Sequence, residues 1–195
     1  MSDLLKQLND EMAAAIERVR RSLVEIKNGR GGVGAGTIWH PEGLIVTNAH
    51  VVGRRRLKVT LADGRTLPAR LLAHDTDLDL AALSVDATNL PTIELGHSRR
   101  LQSGQWVLAL GHPWGVLGAV TAGVVIGLGP HPEGILPSRD LIQVNLPLRP
   151  GHSGGPLVDA GGRLVGINTM MNGPQVGLAV PVHEAKQFLR GTLGS

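Results

Sequence analysis

Between residues 23 and 180 the apolar residues of this chain fall into twelve short runs, each bounded by Gly, Pro, Asn or Asp. Six lie at 23–27, 34–39, 44–47, 57–61, 66–73 and 80–85, and six more at 106–110, 119–128, 141–145, 156–158, 163–168 and 176–180. They are rich in Val, Ile, Leu and Thr, and the helical period disappears from Ser22 onward, so they are read as strands. Asp63-Gly64 and Gly161-Gly162 mark tight turns between neighbouring runs. Closely spaced strands without intervening helices argue against a parallel α/β sheet and for all-β barrels or sandwiches.

The two sets of six are separated at about 86–103, where Asn89-Leu90-Pro91 and Gly96-His97 interrupt the pattern and a loose linker is expected. The fold class is therefore all-β, with two antiparallel six-stranded barrels at 21–88 and 101–182 joined by a linker at 89–100. Residues 1–20 differ in kind: Leu5, Leu8, Met12, Ala15 and Val19 alternate at spacings of four and three, the stripe of an amphipathic N-terminal helix with Ser2 or Asp3 as its cap. That stripe must rest on the body of the chain or on another subunit. A short C-terminal helix at 183–190 opens the tail, 183–195.

Composition removes several function classes. With no cysteine there are no disulfides, thiolate zinc sites or cysteine nucleophiles. Histidines 40, 74, 97, 112, 131 and 183 are scattered without a close ligand pair, so no metal and no cofactor is expected. Arg54, Arg55, Arg56 and Lys58 carry much of the net charge of +3, and read as a solvated loop or a contact for phosphate or an acidic partner. With only Trp39, Trp106, Trp114 and Phe188 as aromatics there is no stacking platform, and no nucleic-acid partner is expected. The charged start lacks the apolar region of a signal peptide, and no stretch is apolar enough to span a membrane. The cellular compartment is left open.

The chemistry begins at Gly151-His152-Ser153-Gly154-Gly155-Pro156. A nucleophilic serine must project from a tight turn whose backbone N–H groups converge where a carbonyl oxygen becomes negative, and glycines supply both the dihedral freedom and the close approach. An ordinary hairpin loop would look similar, so the serine needs a base. His50 ends the apolar run of Leu44-Ile45-Val46-Thr47-Asn48-Ala49-His50 and is the histidine best set for that task. A base in turn needs a buried carboxylate to hold its tautomer. Among Asp75, Asp77 and Asp79, the last adjoins the apolar run 80–83 and is the one carried inward, while the first two read as turn residues.

Thr47-Asn48-Ala49-His50-Val51-Val52, Asp79-Leu80-Ala81, Gly111-His112-Pro113-Trp114-Gly115, the serine motif and Gly166-Ile167-Asn168-Thr169 occur in the order found in the HtrA/Deg family of trypsin-like serine proteases, which the chain resembles from about residue 22 to 182. The resemblance implies a chymotrypsin-like double barrel and a serine endopeptidase acting on unfolded or damaged proteins and peptides. It implies His50 as general base and then acid, Asp79 as orienting carboxylate and Ser153 as nucleophile. The backbone N–H groups of Gly151 and Ser153 become the oxyanion hole, and catalysis passes through an acyl-enzyme. A homo-oligomer, the trimer common in the family, would form through the N-terminal region. Members often continue beyond the segment matching 176–181 into a peptide-binding PDZ domain, and this sequence is expected to lack one.

Departures from the family pattern sharpen the expectations. His152 stands where the family usually carries Asn, and either hydrogen-bonds loop backbone or tunes activity with pH. Pro147 and Pro150 rigidify the approach to the oxyanion hole. In this fold the residue six before the nucleophile lies at the base of the primary specificity pocket, and here it is Pro147, so no preference for Lys or Arg is expected. With Leu148, Met170, Met171 and Val176 as walls, small or medium aliphatic side chains fit best. The competing reading keeps the fold but distorts the site, leaving a chaperone or scaffold of weak activity.

Overall fold

A computed structural model describes residues 2–29, 33–53, 56–130, 140–173 and 175–194. Arg54 and Arg55 of the basic cluster, and His131, lie outside the described residues. The first barrel is built from β1 (Leu23–Lys27), β2 (Val33–His40), β3 (Leu44–Thr47), β4 (Leu57–Thr60), β5 (Thr66–Asp75) and β6 (Leu80–Val85). The second contains β7 (Trp106–Gly111), β8 (Ala119–Pro130), β9 (Asp140–Asn145), β10 (Pro156–Asp159), β11 (Leu164–Met171) and β12 (Val176–Pro181). Helix α1 (Ser2–Ser22) precedes the barrels and α2 (Val182–Leu193) follows them.

Both barrels are closed and wholly antiparallel. The first runs β1-β2-β3-β6-β5-β4 and closes through β1 and β4; the second repeats that order six strands later and closes through β7 and β10. Closure leaves no open sheet edge for stray pairing. It also requires each strand to bury one face inside its own barrel.

The period of two explains why so many strands are apolar on both faces. In β6, Leu83 and Val85 fill the first barrel with Val24, Ile26, Ile38 and Ile45, while Leu80 and Ala82 face the other way. In β7, Val107 and Ala109 enter the second barrel and Leu108 and Leu110 leave it. These outward residues form a third core, lying between the barrels and continuing under Val19 of α1 and Phe188 of α2. Burial on both faces is what welds the barrels into one body.

Two expectations are revised. The stripe on α1 docks only at its C-terminal end: Ala15 and Val19 are buried, whereas Leu4, Leu5 and Leu8 are 71%, 66% and 50% exposed. Spacing tells which face of a helix is apolar but not how far the body beneath it extends. The segment between the barrels is pinned rather than loose. Ile93 and Leu90 are buried, Leu164 donates its N–H to Glu94 O at 2.8 Å, and Gly96 donates to Leu164 O at 2.8 Å.

Candidate active site

The seam between the barrels brings the sequence-predicted residues together. His50 lies on the 3-10 turn Ala49–Val51 directly after β3, and Asp79 ends the turn that enters β6. Because β3 and β6 pair, with Thr47 opposite Ala81, their ends place the two side chains side by side. His50 Nδ1 lies 2.9 and 2.8 Å from the two carboxylate oxygens of Asp79. The Asp79 side chain is 7% exposed while the imidazole remains half-exposed at the seam.

Asp79 is held from several directions. The His50 backbone N–H donates to Oδ1 at 3.1 Å, and the Thr169 hydroxyl donates to Oδ2. Its own carbonyl accepts the side-chain amide of Asn48 at 2.9 Å. Its backbone sits in the left-handed region, φ +52°, where Asp is among the few non-glycine residues found with any frequency. A buried carboxylate with three donors is an acceptor only, so it fixes the Nδ1 proton of His50 and leaves Nε2 free to take another.

Ser153 comes from the second barrel, in the loop between β9 and β10. Its carbonyl accepts the N–H of Ala35 in β2 at 2.8 Å, which ties the loop across the seam. Its hydroxyl donates to Thr169 O at 2.9 Å. Among the described residues this is its hydrogen-bond partner, so the hydroxyl is engaged by β11 and not by the His50 ring.

The preceding residues form a reverse turn, Arg149-Pro150-Gly151-His152, in which His152 donates its N–H to Arg149 O at 2.9 Å. Gly151 has φ +103°. Pro second and a positive-φ Gly third is the pattern of a type II turn, which differs from type I by rotation of the central peptide. That peptide carries the Gly151 N–H. Turn type therefore decides which way this donor faces, and a side chain at 151 would be strained in that backbone and would set Cβ 2.5 Å from His112 O. Among the described residues the N–H groups of Gly151 and Ser153 donate to no backbone or side-chain acceptor.

Outside the turn, His112 at the end of β7 donates its N–H to Gly151 O at 2.8 Å. Arg149 extends over the exposed Trp114 ring, 5.3 Å from its centroid. The Gly111-His112-Pro113-Trp114-Gly115 motif thus braces the turn from behind.

His50, Ser153 and Gly151 open onto a cleft of about 410 Å³. Leu148, Met170 and Met171 line it, and Leu148 donates its N–H to Met171 Sδ at 3.0 Å. Pro147 and Val176 are not on its wall. Pro147 lies between the buried Leu146 and Leu148, so alternation turns its ring outward to solvent, and Val176 is paired with Asn145 at the start of β12. No carboxylate lines the cleft among the described residues; its charged side chain is Arg149. No group of His, Asp or Glu able to hold a metal ion occurs among the described residues, and no helix there is long and apolar enough to cross a membrane.

Thr169 is the participant that sequence reasoning left without a role, although it meets both Asp79 and Ser153. A signal existed: Thr47, Asn48, Asn168 and Thr169 are polar residues at the ends of or inside apolar runs, and all four are buried. Buried polar side chains are retained where they have partners. Asn168 donates its amide to Pro156 O at 3.0 Å and to Leu110 O at 3.3 Å, locking β11 against the strands beside the serine loop.

A family model described as a trypsin-like peptidase domain matches residues 34–167. A putative serine protease HhoB from Synechocystis is 40% identical over 161 residues, covering 80% of this chain and 39% of the relative. Protease Do-like 1, chloroplastic, from Arabidopsis thaliana is 41% identical over 162 residues, covering 77% and 37%. The chain spans about two fifths of the length of these curated relatives. Among solved structures, the HtrA-type protease AlgW with tripeptide superimposes with a TM-score of 0.89 at 34% identity, covering 94% of this chain and 64% of that one. Shared double-barrel topology and aligned sequence agree, and the chain belongs to the trypsin-like peptidase family, in its HtrA/Deg branch.

Proposed function

We propose that this protein is a serine endopeptidase that cleaves extended segments of unfolded or damaged proteins, with Ser153 as nucleophile, His50 as general base and then acid, and Asp79 as the orienting carboxylate. The observation that carries this reading is the 2.8 Å contact between His50 Nδ1 and the buried Asp79 carboxylate, at the mouth of the cleft that also holds Ser153. Ser153 Oγ leaves Thr169 O and gives its proton to His50 Nε2 as it attacks the substrate carbonyl. The N–H groups of Gly151 and Ser153 receive the oxygen that becomes negative. Collapse expels the amine, which takes the proton back from His50, and leaves an acyl-enzyme. Water, deprotonated by the same imidazole, then releases the acid and restores the serine.

Cleft composition supports an aliphatic residue before the cut bond. Leu148, Met170 and Met171 give apolar walls, and methionine adapts to several shapes. A cationic side chain there would meet Arg149 and no carboxylate, and an unpaired buried charge is costly. A peptide-library profile is expected to show cleavage after small or medium aliphatic residues. Dominant cleavage after Arg or Lys would sink this part of the reading.

Self-association through α1 belongs to the same proposal. Leu4, Leu5 and Leu8 present an apolar face beyond the body of the protein, and exposed apolar stripes of this kind are usually covered by a partner. Sedimentation is expected to give an oligomer, the trimer being the proposed form, that becomes monomer in a Leu4→Lys, Leu8→Lys double variant. A monomer in both forms would contradict it.

A further inference from the structure

We propose that His152 is a positioning residue for the oxyanion turn: its neutral imidazole accepts the Arg149 N–H, and uptake of a proton breaks that contact and disables the site without touching the nucleophile. The inference rests on the reading of Ser153 as nucleophile and of the Gly151 N–H as an oxyanion donor. It adds a second titrating group to the reaction.

The turn is closed twice. Backbone closure runs from His152 N–H to Arg149 O at 2.9 Å. A second contact runs from Arg149 N–H to His152 Nδ1 at 3.1 Å, with Arg149 O 3.2 Å from the same nitrogen. Both ends of the turn whose central peptide carries the Gly151 N–H are therefore held by one residue. His152 is 3% exposed. It is wedged against Gly111 of β7, where a Cβ would fall 2.6 Å from His152 Cα, so the loop has no room to shift that way.

To accept from Arg149, Nδ1 must be unprotonated, which puts the single proton of the neutral ring on Nε2. That nitrogen is buried and has no hydrogen-bond partner among the described residues. A second proton would place a donor on Nδ1 opposite the Arg149 N–H. That proton would turn to Arg149 O, 3.2 Å away and already accepting the His152 backbone N–H, and the Arg149 N–H would be left without its acceptor. The charged ring would also face Arg149 in its own loop and His112 at the end of β7, with no carboxylate among the described residues that act on it. Burial is the largest influence and holds the imidazole below its ordinary value of 6.5; the nearby Arg149 charge and His112 act in the same direction, against the opposing pull of the Arg149 backbone. Hence the contact is intact at neutral pH and is lost as pH falls through the lowered value. By linkage, the folded state also loses stability as pH drops from 6.5 toward that value, because the unfolded chain takes up the proton first.

His50 and His152 then leave separable marks on the acidic limb of kcat/KM. Loss of the base by protonation gives a limb of slope one in log kcat/KM against pH. Protonation of His152 steepens the limb toward two at lower pH in the wild type. In His152→Asn the side-chain oxygen still accepts from Arg149 N–H but does not titrate, so the limb should hold slope one throughout. His152→Ala, which has no acceptor, should lose about 10- to 100-fold in kcat at pH 8 with KM little changed, at or below the scale for one oxyanion donor, and His152→Asn should restore most of that loss. Wild-type labelling at Ser153 by a fluorophosphonate tests the underlying reading. Labelling together with identical limbs in wild type and His152→Asn would overturn the positioning role alone, as would His152→Ala and His152→Asn behaving alike at pH 8. No labelling would overturn the nucleophile assignment and this inference with it.

Discussion

Ser153→Ala is expected to lower casein hydrolysis by roughly 10⁴- to 10⁶-fold while leaving the fold intact. The hydroxyl contributes one hydrogen bond, to Thr169 O, at the surface of a half-buried cleft, so its removal deletes no core packing. The serine and the residues just after it are held by backbone contacts that the substitution leaves in place: Ser153 O to Ala35 N–H, Gly154 N–H to Asn168 O, and Gly155 N–H to His152 O. Thermal unfolding of the variant should therefore track the wild type. Residual hydrolysis within tenfold of wild type would mean that another group attacks the peptide. A collapsed melting transition would instead reveal a structural serine.

Asp79→Asn is the second large effect, with an expected fall of about 10⁴-fold in kcat and little change in KM. Asn is close in volume and tolerates the positive φ at this position, so the turn into β6 survives. What changes is the pattern of donors. The carboxylate accepts from the His50 ring, the His50 backbone and Thr169, and an amide must present an N–H toward one of them. The imidazole is then driven to the tautomer with its proton on Nε2, the nitrogen that the proposed mechanism needs as a base. Single-turnover measurements with a peptide ester separate this loss of chemistry from any loss of binding. Activity within tenfold of wild type would remove Asp79 from the mechanism.

Strand positions were legible because local punctuation and burial point the same way. β1, β3 and β6 begin and end where turn residues interrupt β-branched and aliphatic runs, and the two sets of six runs became two closed barrels. The residues meeting at the seam were legible because a serine loop, a strand-end histidine and an Asp entering an apolar strand each have few alternative uses. Long-range facts were not. Nothing in residues 1–20 tells that the body beneath α1 ends near Met12, and Leu90 and Ile93 look like linker residues until the first barrel's core closes over the one and the core between the barrels over the other. The distance of Pro147 from Ser153 along the chain points to the pocket, yet its direction depends on the burial of Leu146 and Leu148 on either side. The Thr169 hydroxyl and carbonyl serve two partners from different barrels, a relation that exists only after the barrels pack.

Division of the site between two barrels has a consequence for how the chain emerges from the ribosome. His50 and Asp79 appear early, while Ser153, its proposed oxyanion donors and Thr169 are synthesised only after all six strands of the first barrel. The first barrel can close on its own strands long before the second has all of its own. In the proposed mechanism a half-made molecule thus holds a base with nothing to activate, and no cutting power arises until β12 has been made and the second barrel has closed. In that scheme the order of synthesis keeps the unfinished first barrel harmless to itself and to its neighbours.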